Sequence, residues 1–151
     1  MDSTRTFGSR CDKMDATSIL ETLAKQTLFL NNLDQTEVIA VLRCCTSSRF
    51  GNSDIIYSEG SHGQSLYVVL KGAVLLKRKG ETAEIMRAGD CFGEIGAVSE
   101  ETRSYTAEAY GDVVTLNISG NALDILDPVT HVKVLKNILV IISARFNRRI
   151  G

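Results

Sequence analysis

Residues 59–76 read EGSHGQSLYVVLKGAVLL. Two apolar runs, 65–70 and 73–79, lie on either side of Gly72, and their Val, Leu and Tyr content predicts two short strands joined by a tight turn. The surrounding segment, 47–119, is punctuated by glycines at 51, 60, 63, 72, 80, 89, 93, 96 and 111. The stretches between them predict further strands at 55–58, 83–87, 103–110 and 113–118. Antiparallel strands this short indicate a β-roll or sandwich.

Helical periodicity is confined to the two ends of the chain. A first helix is predicted from Asp15, with Ile19, Leu20 and Leu23 at helical spacing, and a second begins at Asp34, which forms a capping-box pattern with Glu37. The apolar positions of the second helix are Val38, Ile39, Leu42 and Cys45. At the other end Ser119 caps a short helix ending near Leu126, and Pro128 opens a helix running to about Ile150.

The composition of the chain argues against several classes of function. The 151 residues carry 17 basic and 18 acidic side chains, a net charge of −1, which argues against direct nucleic-acid binding. Four cysteines without a CxxC pair predict reduced thiols and a cytoplasmic setting. The longest apolar run, 138–142, is far shorter than the roughly 20 residues that span a bilayer. We expect residues 1–14 to be a disordered tail and 15–151 to be one domain.

Residues 92–103 read FGEIGAVSEETR and separate two predicted strands. Gly93 and Gly96 allow a ligand to approach the backbone closely and a short helix to begin. Arg103 can present two donors to phosphate oxygens, and a ribose hydroxyl is a group that Glu94 can bind beside a phosphate. The alternative for Glu94 and Arg103 is a plain ion pair.

The motif FGEIGAV…RS resembles the phosphate-binding cassette of cyclic-nucleotide-binding domains, and EGSHGQSLYVVLKGAVLL resembles the hairpin that precedes it. The resemblance runs from about Leu28 to Arg148. It implies an α+β fold, an antiparallel, jelly-roll-like β-roll with N-terminal helices, a short helix in the cassette (residues 92–103) and a C-terminal lid helix. The implied ligand-binding residues are Phe92, Gly93, Glu94, Ile95, Gly96, Arg103 and Ser104.

Within this set the resemblance assigns Glu94 to the ribose 2′-hydroxyl and Arg103 to the cyclic phosphate. Backbone donors are implied at Gly93, Ile95 and Gly96, and Ser104 is placed near phosphate or base. The sequence departs from the family pattern where Gly96 and Ala97 are small, at Thr102 in place of a frequent proline, and at Tyr105, usually a small residue.

The resemblance implies a sensor that binds a cyclic nucleotide and closes its C-terminal helix to control an attached or partner effector of unknown identity. We expect cAMP rather than cGMP, because Ser104 can serve either purine and no other residue clearly selects guanine. No nucleophile–base pair, metal triad or paired carboxylates are recognisable, so we expect neither catalysis nor a cofactor beyond the nucleotide ligand. Two alternatives are an interaction module that has lost the ligand, with Tyr105 filling the pocket, and a fragment of a transcription regulator of the catabolite-activator type.

The C-terminal helix carries two apolar rows. Leu135, Leu139, Ile142 and Phe146 form one, and Ile138 and Ile141 form the other. We expect one row to face the roll or nucleotide, and the row of Ile138 and Ile141 to meet a partner helix. The domain is then a homodimer, or a monomer whose partner helix belongs to the rest of its own full-length chain. A basic cluster of Arg145, Arg148 and Arg149 is predicted to be a solvated helix end, with binding of a partner or of the incoming base as the alternatives. Cys91 is predicted to be a small buried residue.

Overall fold

The structure, a computed structural model, describes residues 5–6 and 27–150. The helix predicted from Asp15 and most of the predicted tail lie outside these residues. In chain order the elements are β1 (Arg5–Thr6), a 3-10 turn (Leu28–Leu30), α1 (Gln35–Arg43), β2 (Thr46–Phe50), β3 (Ile55–Tyr57), β4 (Ser65–Arg78), β5 (Glu81–Arg87), β6 (Cys91–Phe92), α2 (Glu94–Val98), β7 (Thr106–Ser119), α3 (Gly120–Leu123) and α4 (Pro128–Ile150).

The described strands form one antiparallel sheet in the order β1-β2-β7-β4-β5, with β3 paired to β7 and β6 paired to β4. Its centre is the pair β4 and β7, each 14 residues long, which align from Ser65 opposite Ser119 to Lys77 opposite Thr106. The predicted β-roll with helices is confirmed. Arg5–Thr6, within the stretch predicted as a tail, pair with Arg49 and Ser48.

The turn predicted at Gly72 is instead a bend inside the continuous strand β4. Gly72 has a φ of +89°, and a side chain there would collide with the carbonyl oxygen of Asp112 on β7. Gly111 has a φ of +77°, and the β4–β7 register shifts between Val69 and Ala73. The two strands predicted on either side of Gly72 therefore form one long strand, β4, and the strands predicted at 103–110 and 113–118 are likewise joined in β7.

The helix caps follow the sequence pattern. Asp34 and Glu37 form both hydrogen bonds of the capping box at the start of α1. Ser119 Oγ accepts a hydrogen bond from the Ala122 N–H at 3.1 Å, and Asp127 Oδ1 accepts one from the Thr130 N–H at 3.2 Å. Helix α3 ends at Leu123, earlier than predicted.

Two layers of apolar side chains make up the core. One fills the roll around Phe50, Val69 and Phe92, and the other lies between the roll and the helices. Ile138 and Ile141 belong to the second layer and are 1% and 8% exposed, so their assignment to a partner helix is wrong. In the other row, Leu139 and Phe146 are exposed.

Polar contacts fix α4 along its first half. Asn137 Nδ2 donates to the carbonyl oxygens of Phe29 and Asn31 at 2.9 and 2.8 Å. Lys133 Nζ lies 2.9 Å from Glu37 Oε1, which joins α4 to α1. Of the described helices, none is long and apolar enough to span a bilayer.

Candidate functional site

A cavity of about 190 Å³ opens between the cassette and the C-terminal end of α4. Six of the seven predicted ligand-binding residues line it: Gly93, Glu94, Ile95, Gly96, Arg103 and Ser104. Tyr105, Ile142 and Phe146, which the sequence placed at the pocket or on the row facing the roll or nucleotide, also line it. The remaining lining residues were not predicted as contacts: Tyr57, Leu76, Thr102 and Arg145. The cassette and α4 thus face each other across one space.

Phe92 and Gly93 set the direction in which the cassette leaves the sheet. Phe92 is fully buried, and its ring stacks on Tyr67 with 5.1 Å between centroids, so it anchors the cassette and does not line the cavity. Gly93 has a φ of +76° and precedes α2 as its N-cap. A Cβ at Gly93 would lie 2.9 Å from Arg103 Nη1 and 3.0 Å from the Ser65 carbonyl oxygen, which is why a glycine is needed.

Arg103 lies deep in the cavity wall with 6% of its surface exposed. Its Nη1 donates to the Gly93 carbonyl at 3.0 Å and its Nη2 to the Ser65 carbonyl at 2.9 Å. The buried Nε has no hydrogen-bond acceptor among the described residues. An arginine with an unsatisfied donor in a cavity wall is suited to bind an anion, because burying that donor unpaired is costly.

The ion-pair alternative requires Glu94 to pair with Arg103, and the structure does not show this pair. Glu94 is 3% exposed and accepts a hydrogen bond from Arg145 Nη1 on α4. The prediction of a solvated helix end is therefore wrong for Arg145. That residue follows Ile138 by seven positions and Ile141 by four, so it falls on the buried face of α4, a signal already present in the sequence.

The electrostatics of Arg145 follow from its surroundings. Burial lowers the pKa of Arg145, but the neighbouring carboxylates Glu94 and Glu84 outweigh burial, and the net effect raises the pKa. Arg145 is therefore charged at every pH at which the domain folds. Cys91 next to it is 3% exposed, which confirms the prediction of a small buried residue, and burial raises its pKa well above the ordinary value.

Residues 48–126, more than half of the chain, match the family described as Cyclic nucleotide-binding domain. The chain belongs to this family. Over 85 residues, 56% of the chain, it is 32% identical to the cGMP-dependent protein kinase egl-4 of Caenorhabditis briggsae, and over 118 residues, 72% of the chain, 25% identical to a cAMP-dependent protein kinase regulatory subunit of Hypocrea atroviridis. The matches span 11% and 26% of those proteins.

A solved structure of a cyclic nucleotide-binding domain from Methylobacillus flagellatus superposes with a TM-score of 0.83 and 26% identity, covering 97% of this chain and 85% of that one. Domains of this family are regulatory sensors and are not catalytic, although some relatives are named as protein kinases. Among the described residues of this cyclic-nucleotide-binding domain, no group of three or more His, Cys, Asp or Glu side chains is placed to hold a metal.

Tyr105, the departure that most affects the pocket of this domain, is half-buried on the cavity wall. The guanidinium carbon of Arg78 lies 4.5 Å from its ring centroid, and Arg78 Nε donates to the Ser104 carbonyl at 3.4 Å. These contacts hold the ring on the cavity wall, where a cavity of about 190 Å³ remains beside it.

Proposed function

We propose that this domain binds a cyclic nucleotide in the cavity between the cassette and α4 and transmits the binding event through α4. The observation that carries the proposal is the placement of Glu94 and Arg103 on one cavity wall. They are a buried carboxylate and a buried guanidinium that do not pair with each other. Each has a different ligand group to bind. No cofactor beyond the nucleotide is part of this proposal.

The cyclic phosphate is assigned to Arg103, whose free Nε and single positive charge match a phosphodiester. The ribose 2′-hydroxyl is assigned to Glu94, since an ionised carboxylate accepts hydrogen bonds only. Gly93, Ile95 and Gly96 complete the phosphate end. All three line the cavity, and neither glycine has a side chain that would separate the backbone from a ligand.

The base is assigned to the opposite end of the cavity, beside Tyr105, Ile142 and Phe146. Because Ile142 and Phe146 belong to α4, closure of α4 over the base would couple occupancy to helix position. We propose cAMP in preference to cGMP, with Ser104 able to meet the phosphate or either purine. Four relatives are named as cGMP-dependent protein kinases and one as a cAMP-dependent regulatory subunit, so the proposed preference for cAMP rests on the residues of this chain and not on its relatives.

The output of the sensor is proposed to pass to an effector domain or partner, or to a second copy of this chain. Val132, Leu135, Leu139, Ile142 and Phe146 are spaced alternately by three and four residues, as in a coiled-coil seam, and Val132, Leu139 and Phe146 are exposed. Since Ile142 and Phe146 also line the cavity, a homodimer through this seam would sense the ligand. We place the protein in the cytoplasm, consistent with the absence of a disulfide among the described cysteines, Cys44, Cys45 and Cys91.

The alternative function, a ligand-independent interaction module, is supported by the small cavity and by Glu94 having Arg145 as a partner. Calorimetric titration with cAMP, cGMP and the non-cyclic control 5′-AMP separates the two. We expect micromolar or tighter binding of the cyclic nucleotides and weaker binding of 5′-AMP. Tighter binding of cGMP would reverse the preference for cAMP, and no heat with any nucleotide would favour the interaction module.

A further inference from the structure

The side chain of Arg145 fills the space in front of Glu94. Besides Glu94, its Nη2 donates to the Cys91 carbonyl at 2.6 Å, and its Nε lies 3.3 Å from Glu84 Oε1, an ion pair without hydrogen-bond geometry. The side chains of Arg145 and Glu94 are 11% and 4% exposed. Arg145 therefore joins α4 to α2, β5 and β6 at one point.

These contacts are the main polar attachment of the last turns of α4. Asn137 ties the middle of the helix to the 3-10 turn, and Ile141 is its last buried apolar side chain among the described residues. Beyond it, Ile142 is half-buried and Phe146 is exposed. If the contacts of Arg145 break, the end of α4 can move while Asn137 holds the rest of the helix.

The size of the cavity favours such a movement. Its volume of about 190 Å³ is below the range of about 300 to 1,000 Å³ that is usual for small-molecule sites. The walls formed by the sheet are fixed by the β4–β7 ladder. The wall that can withdraw is α4, and withdrawing it separates Arg145 from Glu94.

We propose that Arg145 is an internal competitor of the nucleotide. It holds Glu94 while α4 lies against the cassette, and it must leave before the ribose of a cyclic nucleotide can bind to the same carboxylate. The end of α4 then settles over the base through Ile142 and Phe146. This inference rests on the proposed function. Because only the released fraction binds ligand, the contact lowers the apparent affinity.

Affinity measurements on two Arg145 variants test the competition. Arg145→Gln removes the ion pair, and we expect it to bind cAMP about tenfold more tightly than the wild type, within the usual range of coupling between sites. Arg145→Lys keeps the charge but cannot reproduce the forked contacts, so it should also bind more tightly. The matched control is Lys136→Gln, which removes a charge from the exposed side of the same helix and should leave affinity unchanged.

The two variants also separate competition from simple attraction. If Arg145 attracted or contacted the nucleotide, Arg145→Gln would weaken cAMP binding and Arg145→Lys would largely preserve the wild-type affinity. That result would overturn the proposal. If Arg145→Gln binds cAMP and the wild type gives no heat, the competition by Arg145 is complete, which supports the proposal.

Amide hydrogen exchange gives a second readout that needs no nucleotide. We expect exchange at residues 142–147 to rise about tenfold in Arg145→Gln, while the amides of β4 stay as protected as in the wild type and exclude global destabilisation. Unchanged exchange at 142–147 would show that Arg145 does not hold the helix and would overturn the proposal. If no variant binds cAMP or cGMP, the proposed function fails and the competitor role with it, whatever exchange shows for the helix.

Discussion

The guanidinium carbon of Arg103 lies 4.1 Å from the centroid of the Tyr57 ring. Burial, more than any other influence, raises the pKa of Tyr57, so the phenol stays neutral while its ring supports the cation. Together with the Gly93 and Ser65 carbonyls, the ring fixes the plane of the guanidinium. Arg103 is thus positioned by three groups that are not its proposed ligand.

Replacing Arg103 with Ala should weaken cyclic-nucleotide binding by roughly 2–5 kcal/mol, because a buried phosphate would lose its charged partner. Arg103→Lys should also weaken binding, since a lysine cannot reproduce the fork. Calorimetry gives the affinities, and thermal unfolding shows whether each variant is folded. An unchanged dissociation constant in a folded Arg103→Ala would place the phosphate elsewhere.

A second prediction concerns Gly63, which leaves room for Arg103. A Cβ at Gly63 would lie 2.7 Å from Arg103 Nη2. Overpacking of this kind costs about 1 to 3 kcal/mol, so Gly63→Ala should lower nucleotide affinity about five- to 150-fold by displacing the guanidinium. Gly51→Ala, where the nearest contact is an ordinary 3.4 Å, is the matched control. Equal nucleotide affinities in the two variants would mean that the Arg103 guanidinium can shift without weakening nucleotide binding.

The main elements of this fold could be predicted because local patterns specify them. The capping box of Asp34 and Glu37 and the cap at Ser119 are local hydrogen bonds between near neighbours. Gly72 was predicted as a turn because a glycine between two apolar runs is equally consistent with a hairpin and with a bend. What decides between them is the approach of Asp112 from a distant strand, which the local pattern does not contain.

The cassette residues could be predicted for the same reason, since Gly93, Glu94 and Arg103 lie within one short segment. The partner of Glu94 could not, because Arg145 is 51 residues away. Its position on the buried face of α4 was available from helical spacing. Its contact with the cassette depends on how α4 crosses the roll, which only the tertiary packing determines.

A pH prediction follows from Glu37, which joins α1 to α4. The Asp34 backbone N–H, followed by Lys133, lowers the pKa of Glu37 below its ordinary value of 4.5. A lowered pKa in the folded state stabilises the protein above about pH 4.5, and this contribution is lost as the pH falls through the lowered pKa. The slope of unfolding free energy against pH, from urea melts, should therefore be positive in this window.

Glu37→Gln tests this assignment, because glutamine can keep the capping hydrogen bond while losing the charge. We expect the variant to be less stable than the wild type near neutral pH and to show a shallower slope below about pH 4.5. Glu81→Gln, at an exposed position, is the control and should keep the wild-type slope. A Glu37→Gln slope equal to that of the wild type would assign the acid sensitivity to other carboxylates.

The exposed seam of α4 leads to the last prediction, that the domain forms a dimer through α4. Val132 and Leu139 are exposed seam residues that do not line the cavity, so Val132→Lys with Leu139→Lys should shift the protein to monomers while nucleotide affinity stays within about tenfold. Val140→Lys adds the same charge at an exposed position outside the seam and should leave the dimer intact.

Light scattering over a range of concentrations, with and without cAMP, measures the assembly. Since a dimer places Phe146 in both seam and cavity, nucleotide should change the dimerisation constant of the wild type and of Val140→Lys alike. A wild type that remains monomeric throughout would contradict the dimer and would favour an effector segment as the partner of the seam.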